Sequence, residues 1–254
     1  MSGDDLRSTL VDLGKRVAGP RATVTLRCLL RGYPLPRWGN LRRTTPFSSR
    51  FGFERGTPID RYYLHRFFDA SRHLITGRVL EVQTASYTER FGQHVTRSET
   101  FDIVPEFHPT YLCDFAHADD VLAPDAYDCL LLPNTFPHFR ELDRCLAQAI
   151  RVVRQGGTIL ASAGGLIPLT GDVADYWRLS PDGWRELLTK TWHGADVTVA
   201  GHGNCLAAIA AQLGLAVEEL TAAELDVADA RYPVLTTIRC QKPMNARHTE
   251  TIER

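Results

Sequence analysis

The chain has 254 residues, 44% of them hydrophobic, and its 29 basic and 30 acidic side chains leave a formal charge of −1. That size suits one large domain with room for an appendage, and the balanced charge excludes bulk electrostatic binding to nucleic acid or an anionic membrane. No apolar run reaches the roughly eighteen residues of a membrane-spanning helix, and the acidic start Met1-Ser2-Gly3-Asp4-Asp5 is no signal peptide, so a cytoplasmic chain is expected.

Apolar residues at Leu6, Leu10, Leu13 and Val17 predict a helix. Arg31-Gly-Tyr-Pro-Leu-Pro-Arg-Trp-Gly39 and Leu41-Arg-Arg-Thr-Thr-Pro46 follow, with too much proline and glycine for long regular elements. Tyr33, Trp38, Phe47, Phe51 and Phe53 make this stretch too aromatic for a disordered linker. Residues 1–60 are therefore expected to form an ordered, arginine-rich arm acting as a lid.

Thr57 as N-cap and Pro58 at the first helical position open a helix to about His73, stopped by Gly77. From there strands and helices alternate. Strands are predicted at 78–82, 94–99, 110–113, 127–132, 158–161, 196–200 and 234–238. Helices are predicted at 86–91 (a short helix or a turn), 142–153, from the Ser180 cap through Leu188, and 204–213 before Gly214. This alternation predicts an α/β fold with a doubly wound, mostly parallel seven-stranded sheet over residues 61–242. The polar segment 243–254 reads as a frayed tail.

Six cysteines, none closer than sixteen residues to the next, form no metal-binding spacing and read as reduced thiols. Asp119-Asp120 reads as a solvated loop pair rather than a metal dyad, so no metal is expected. There is no GxSxG, GxxxxGK[ST], HExxH or GxGxxG.

In doubly wound sheets, ligands bind beyond the carboxyl ends of the strands. The predicted ends supply Glu81 and Gln83, Glu99, Asp114, then Asn134 to His138, and Ala163-Gly164-Gly165. A core strand rarely ends in a carboxylate unless solvent or a polar ligand receives it. Glu99, at the predicted end of the second strand, stands where an acid accepts hydrogen bonds from a ribose diol.

Several segments carry a resemblance: Gly77-Arg-Val-Leu-Glu-Val82, the acids at 99 and 114, Tyr127-Asp-Cys-Leu-Leu-Leu-Pro-Asn-Thr-Phe-Pro-His-Phe-Arg-Glu141, and Val153-Arg-Gln-Gly-Gly-Thr-Ile-Leu160. In order and spacing, this resembles a class I S-adenosylmethionine-dependent methyltransferase. Asp175-Tyr-Trp-Arg-Leu-Ser-Pro-Asp-Gly183, Gly56-Thr-Pro-Ile-Asp-Arg-Tyr-Tyr63 and Tyr87-Thr-x-Arg-Phe-Gly92 resemble elements of a bacterial branch linked with specialised metabolism. The resemblance covers about residues 51–242. It implies S-adenosylmethionine as cofactor, with Glu81 near its methionine part, Glu99 on the ribose hydroxyls, Asp114 on the adenine amine and Phe115 beside the ring. Asn134 and Thr135 would line the pocket near the transferred methyl.

The family's first motif, E/D-x-G-x-G-x-G, reads here Glu81-Val-Gln-Thr-Ala-Ser-Tyr87, without glycine. Those glycines admit the cofactor close to the backbone. Three readings stay open: Gln83 turns aside and the cofactor binds; the pocket serves a non-methylating reaction or binding; or the cofactor binds weakly.

Methyl transfer to a hydroxyl needs positioning and a base. The base candidates are His138, after the fourth strand, and His202, between two glycines after the sixth. His117 is a candidate supporting group. Tyr62, Tyr176, Trp177 and Arg178 are candidates for holding the acceptor, although Tyr62 or Tyr63 must pack as core. The expected function is methyl transfer to a small metabolite, such as a sugar or polyketide-like natural product, as in antibiotic biosynthesis. A methyltransferase-like enzyme performing a cyclisation or rearrangement, or a non-catalytic partner protein, are the alternatives. The expected partner is a small-molecule substrate, with no nucleic acid and no membrane; the sequence leaves a homo-oligomer open.

Overall fold

The computed structural model describes residues 19–169, 171 and 173–244. The predicted helix over Leu6–Val17 and most of the predicted tail lie outside the described residues. The chain divides into two compact units, residues 1–45 and 46–254.

In the first unit, helix α1 spans Gly19–Leu30. Gly32, at φ +70°, ends it, and the Tyr33 N–H donates back to the Cys28 carbonyl at 2.9 Å. The Arg42 guanidinium lies 5.9 Å from the Trp38 ring centroid.

The second unit takes in the segment from residue 46, so residues 46–60 are part of it rather than of a separate arm. The Phe47 N–H donates to the Leu213 carbonyl at 2.8 Å. Gly52 sits at φ +92°, where a Cβ would stand 2.9 Å from the Leu215 carbonyl oxygen, so only glycine fits. Helix α2 (Ile59–Ala70) follows. Thr57 does not cap it: its hydroxyl donates to Glu218 at 2.8 Å, and Pro58 holds the N-cap position without a side-chain bond.

The sheet has seven strands in the order β3-β2-β1-β4-β5-β7-β6. They are β1 (Gly77–Val82), β2 (Val95–Asp102), β3 (Tyr111–Leu112), β4 (Tyr127–Leu132), β5 (Val153–Gly164), β6 (Asp196–His202) and β7 (Leu235–Gln241). All neighbours pair in parallel except β7, which is antiparallel to β5 and β6. The expected doubly wound, mostly parallel seven-stranded sheet is therefore present.

Strand alternation distributes the core to both faces. On β4, Cys129 and Leu131 pack with Tyr63, Leu64 and Phe68 of α2 and with Ala207 and Ala211 of α6 (Cys205–Leu213). Leu130 and Leu132 pack against Leu146 and Ala149 of α4 (Leu142–Val152) and Trp184 and Leu188 of α5 (Pro181–Thr191). Helix α3 (Ser86–Phe91) joins the first face through Phe91, and α7 (Ala222–Leu225) through Leu225.

Four strands outrun their predicted ends, β7 by continuing to Gln241. β5 continues through Gly156, at φ +73°, with its register shifted against β4. β6 reaches His202, which pairs with Leu235. β2 continues to Asp102, pairing Phe101 with Tyr111 and Asp102 with Leu112. Glu99 is therefore inside β2, opposite Leu80 of β1, not at its end.

No described helix is long and apolar enough to cross a membrane.

Candidate functional site

A cavity of about 910 Å³ lies at the carboxyl ends of the parallel strands, at the upper end of the ~300–1,000 Å³ typical of small-molecule sites. The turns that leave the strands build it: Gln83 after β1, Asp102 to Val104 after β2, Asp114 to Ala116 after β3, Pro133 to Thr135 after β4, and Gly164 with Ile167 around the end of β5. Phe51 and Phe53 add apolar surface from the segment before α2.

Two carboxylates mark the β2–β3 side. Asp102 is buried, and its Oδ1 accepts the Val104 N–H at 2.7 Å. Asp114 caps the turn that follows it, its Oδ1 accepting the Ala116 N–H at 2.9 Å. In each case the turn uses one oxygen and fixes the carboxyl, while Oδ2 has no partner among the described residues. Beside them runs an aromatic wall. Phe115 stacks on Phe101 with centroids 4.5 Å apart and on Phe139 at 5.7 Å.

The β1 turn keeps the shape that glycine would give it. Gln83 adopts φ +68°, and its N–H donates to the Phe101 carbonyl at 2.9 Å. A non-glycine residue there carries strain of about 1 kcal/mol or more. Gln83 thus holds a conformation that glycine adopts freely, and its side chain lines the cavity.

On the β4 side, Asn134 is also left-handed, at φ +51°. Ser162 of β5 holds it twice: the Ser162 hydroxyl accepts the Asn134 N–H at 2.8 Å and donates to Oδ1 at 3.0 Å. The Asn134 amide then donates to Asp60 Oδ2 at 2.8 Å, which also accepts from Arg61 at 2.9 Å. Thr135 is buried and donates to the Pro133 carbonyl at 3.0 Å. His138 lines the cavity with Nδ1 2.9 Å from the Ala174 carbonyl. A carbonyl only accepts, so Nδ1 carries the proton and Nε2 is left as the acceptor. Tyr176 lines the cavity with its side chain about half exposed.

Of the residues singled out in the sequence, Gln83, Asp114, Phe115, Asn134, Thr135, His138, Tyr176 and Arg178 thus line one cavity. Arg178 is committed to structure: it pairs with Asp175, whose side chain is 3% exposed, and donates to the carbonyls of Gly165, Ile167 and Pro168, tying down the chain after β5. Trp177 is not in the lining; its indole N–H donates to the Phe139 carbonyl at 2.7 Å and its ring packs on the core. Tyr62 lies elsewhere, donating to Asp226 at 2.7 Å. His202 stacks on Tyr63 and pairs with Thr237 at 2.7 Å, two strands beyond β5, and burial lowers its pKa. His117 meets Glu141 at 3.0 Å on the exterior.

Both strand carboxylates expected in the site are internal. Glu99, 2% exposed, is enclosed by Arg78, Arg97 and the Tyr111 hydroxyl. Although burial opposes it, those donors hold its pKa below the ordinary value. Glu81, 1% exposed, accepts from the Tyr87 and Thr88 N–H groups and the Thr88 hydroxyl, which fixes the start of α3. Asp60, Arg61 and Asp102 are cavity residues the sequence reading passed over. The signal for Asp102 was two more strand residues in alternation after Glu99; the Asp60–Asn134 contact joins positions 74 apart and left none.

Burial pushes the Glu81 carboxyl up from 4.5 to about 7, outweighing its three donors. A raised carboxyl pKa favours the folded state when protonated. Stability from this group is therefore complete below pH 4.5 and lost as pH rises to about 7, a loss of about 3 kcal/mol. Chemical denaturation between pH 5 and 8 should show this decline, and Glu81→Gln should flatten it. An equal slope in wild type and variant would contradict this account.

The strand order with a reversed β7 is that of the class I methyltransferase fold. No protein-family model and no curated protein matches the chain. Among solved structures it is similar to a SAM-dependent methyltransferase from Thermotoga maritima, at 15% identity over 75% of this chain and 94% of that one, with a TM-score of 0.49. It is similar to the [4+2]-cyclase SpnF, at 15% identity over 87% and 93%, with a TM-score of 0.49. A third likeness is to a SAM-dependent methyltransferase from Mesorhizobium loti, at 13% identity over 72% and 98%, with a TM-score of 0.48. Likenesses this distant speak only of architecture; the fold assignment rests on the chain's own strand order.

Proposed function

We propose that the chain binds S-adenosylmethionine in the strand-end cavity and catalyses methyl transfer to a small molecule. The carrying observation is the pair Asp102 and Asp114, each fixed through one oxygen with the other unpartnered, on successive strand ends beside the Phe101–Phe115–Phe139 wall. That acceptor set fits an adenosine: Asp102 accepts from the ribose hydroxyls, Asp114 accepts from the adenine amine, and Phe115 meets the ring face. Asp102 takes the ribose role expected of Glu99. The left-handed turn at Gln83 supports the reading, since the backbone course a cofactor requires is kept.

Bound there, the cofactor supplies an electrophilic methyl group on a sulfonium. The protein's part is to hold the acceptor in line and to take its proton. His138 Nε2 is the base, with its tautomer set by the Ala174 carbonyl. Asn134, clamped by Ser162 and Asp60, and Tyr176 position the acceptor. Phe51, Phe53 and Ile167 supply apolar surface for it, which suits a natural product with a hydrophobic body. Calorimetry of the full chain with S-adenosylmethionine and S-adenosylhomocysteine tests the reading: saturable binding of both supports it, and no binding at millimolar ligand contradicts it.

A second reading is a non-methylating reaction in the same cavity, favoured by the Gln83 side chain standing where the motif has glycine. Product mass separates the two: methyl transfer adds one methylene to the acceptor, whereas cyclisation or rearrangement leaves its mass unchanged.

A further inference from the structure

The Asp60–Arg61 pair is a charged cluster that the proposed chemistry uses only through the Asp60 hold on Asn134. Asp60 is 7% exposed and stands at the start of α2. Its Oδ2 accepts from Arg61 at 2.9 Å and from the Asn134 amide at 2.8 Å. Ser162 in turn clamps Asn134 from β5. Two donors therefore hold the carboxyl, Arg61 of α2 and Asn134 after β4, yet Oδ1 has no partner among the described residues. Arg61 shows the complementary feature. One Nη1–H serves Asp60, while Nε and Nη2 have no partner among the described residues. Both side chains line the cavity.

The pair also lies close to the altered β1 turn. Burial raises the pKa of the Tyr87 phenol, and the Arg61 and Asp60 charges act on the same phenol in opposite senses. Tyr87 is in the first turn of α3, which begins three residues after Gln83.

A guanidinium face with free donors beside a carboxylate oxygen with free acceptor capacity matches a ligand group bearing both charges close together. Both residues line the cavity, their free polar atoms are not sealed in the core, and a ligand placed there adds charge-assisted hydrogen bonds to them. We infer that Asp60 and Arg61 recognise a zwitterionic α-amino acid group, Arg61 donating to its carboxylate and Asp60 accepting from its ammonium. Applied to S-adenosylmethionine, which rests on the function proposed above, the pair holds the amino acid end that a glycine-rich turn would otherwise receive. The loss of those glycines is then compensated from α2.

The test compares three ligands on the unaltered full chain by calorimetry: S-adenosylhomocysteine, its decarboxylated analogue, and 5′-methylthioadenosine, which lacks the amino acid end. The expected result is binding of S-adenosylhomocysteine about 10- to 100-fold tighter than 5′-methylthioadenosine, as two charge-assisted contacts require. The decarboxylated analogue should fall between them. Arg61→Gln should bring S-adenosylhomocysteine down to the level of its decarboxylated analogue and leave 5′-methylthioadenosine unchanged, with a melting curve confirming that the variant folds. Equal wild-type affinities for S-adenosylhomocysteine and 5′-methylthioadenosine would overturn this assignment and leave the adenosine site standing. Binding of none of the three would overturn the cofactor reading and this assignment together.

Discussion

Asp102→Ala should weaken S-adenosylhomocysteine binding by about 10- to 100-fold, the range for removing an ionised acceptor from hydroxyl donors. It should do so with little change in cooperativity of unfolding, because only the Val104 turn loses a bond. Glu99→Ala should do the opposite. Its carboxylate is enclosed by Arg78, Arg97 and Tyr111, and removing it strands two guanidinium groups and a phenol at the β1–β2–β3 edge. Breaking a buried ion pair costs several kcal/mol; here the arginines reach solvent, so about 2–3 kcal/mol is expected. The affinity of the folded fraction should hold. Measuring the denaturation midpoint and the dissociation constant for both variants separates the roles. A large loss of affinity in Glu99→Ala, with Asp102→Ala unaffected, would return the ribose role to Glu99.

The second large effect concerns His138. With Nδ1–H donated to the Ala174 carbonyl, its Nε2 is an acceptor on the cavity wall. His138→Ala should lower the methyl-transfer rate by about 10²- to 10⁴-fold with any acceptor the wild type methylates, the usual contribution of a general base. S-adenosylhomocysteine affinity should stay within a few-fold, since the cofactor-side carboxylates are untouched. His202→Ala, by contrast, should leave rate and cofactor affinity nearly unchanged, because His202 is packed on Tyr63 and bonded to Thr237 away from the cavity. A rate loss in His202→Ala comparable to that of His138→Ala would contradict the assignment.

These contrasts show which features the sequence made legible. The run Tyr127-Asp-Cys-Leu-Leu-Leu132 and the helix after it were readable because a central parallel strand is apolar on both faces and an amphipathic helix repeats every three or four residues. The strand-end rule points to Asp114, Asn134 and His138, and all three line the cavity. The error at Glu99 has a physical origin. A carboxylate usually marks a strand's exit from the core, but arginines on β1 and β2 neutralise Glu99 inside the sheet. β2 continues three residues to the acid at the rim. Arg178 lines the cavity as expected, but most of its donors are engaged within the chain. A loop arginine attracts a ligand reading, whereas its actual carbonyl partners lie 10 to 13 residues away and emerge only on folding. The Asp60–Arg61–Asn134–Ser162 cluster joins α2, β5 and the turn after β4. No local pattern announces such a contact.

Helix α1 went unassigned because Gly19 and Pro20 open it and its polar threonines blur the apolar repeat. The start of α2 was placed one residue early for another reason: Thr57 satisfies the partner segment around Glu218 rather than the helix.

The central claim is that Asp102 and Asp114 hold an adenosine at the rim of the sheet. A crystal structure of the full chain with saturating S-adenosylhomocysteine tests it most directly. The account predicts the ribose on Asp102, the adenine amine on Asp114 and the ring against Phe115. Ligand bound elsewhere, or crystals at saturating ligand with both carboxylates facing only water, would contradict it.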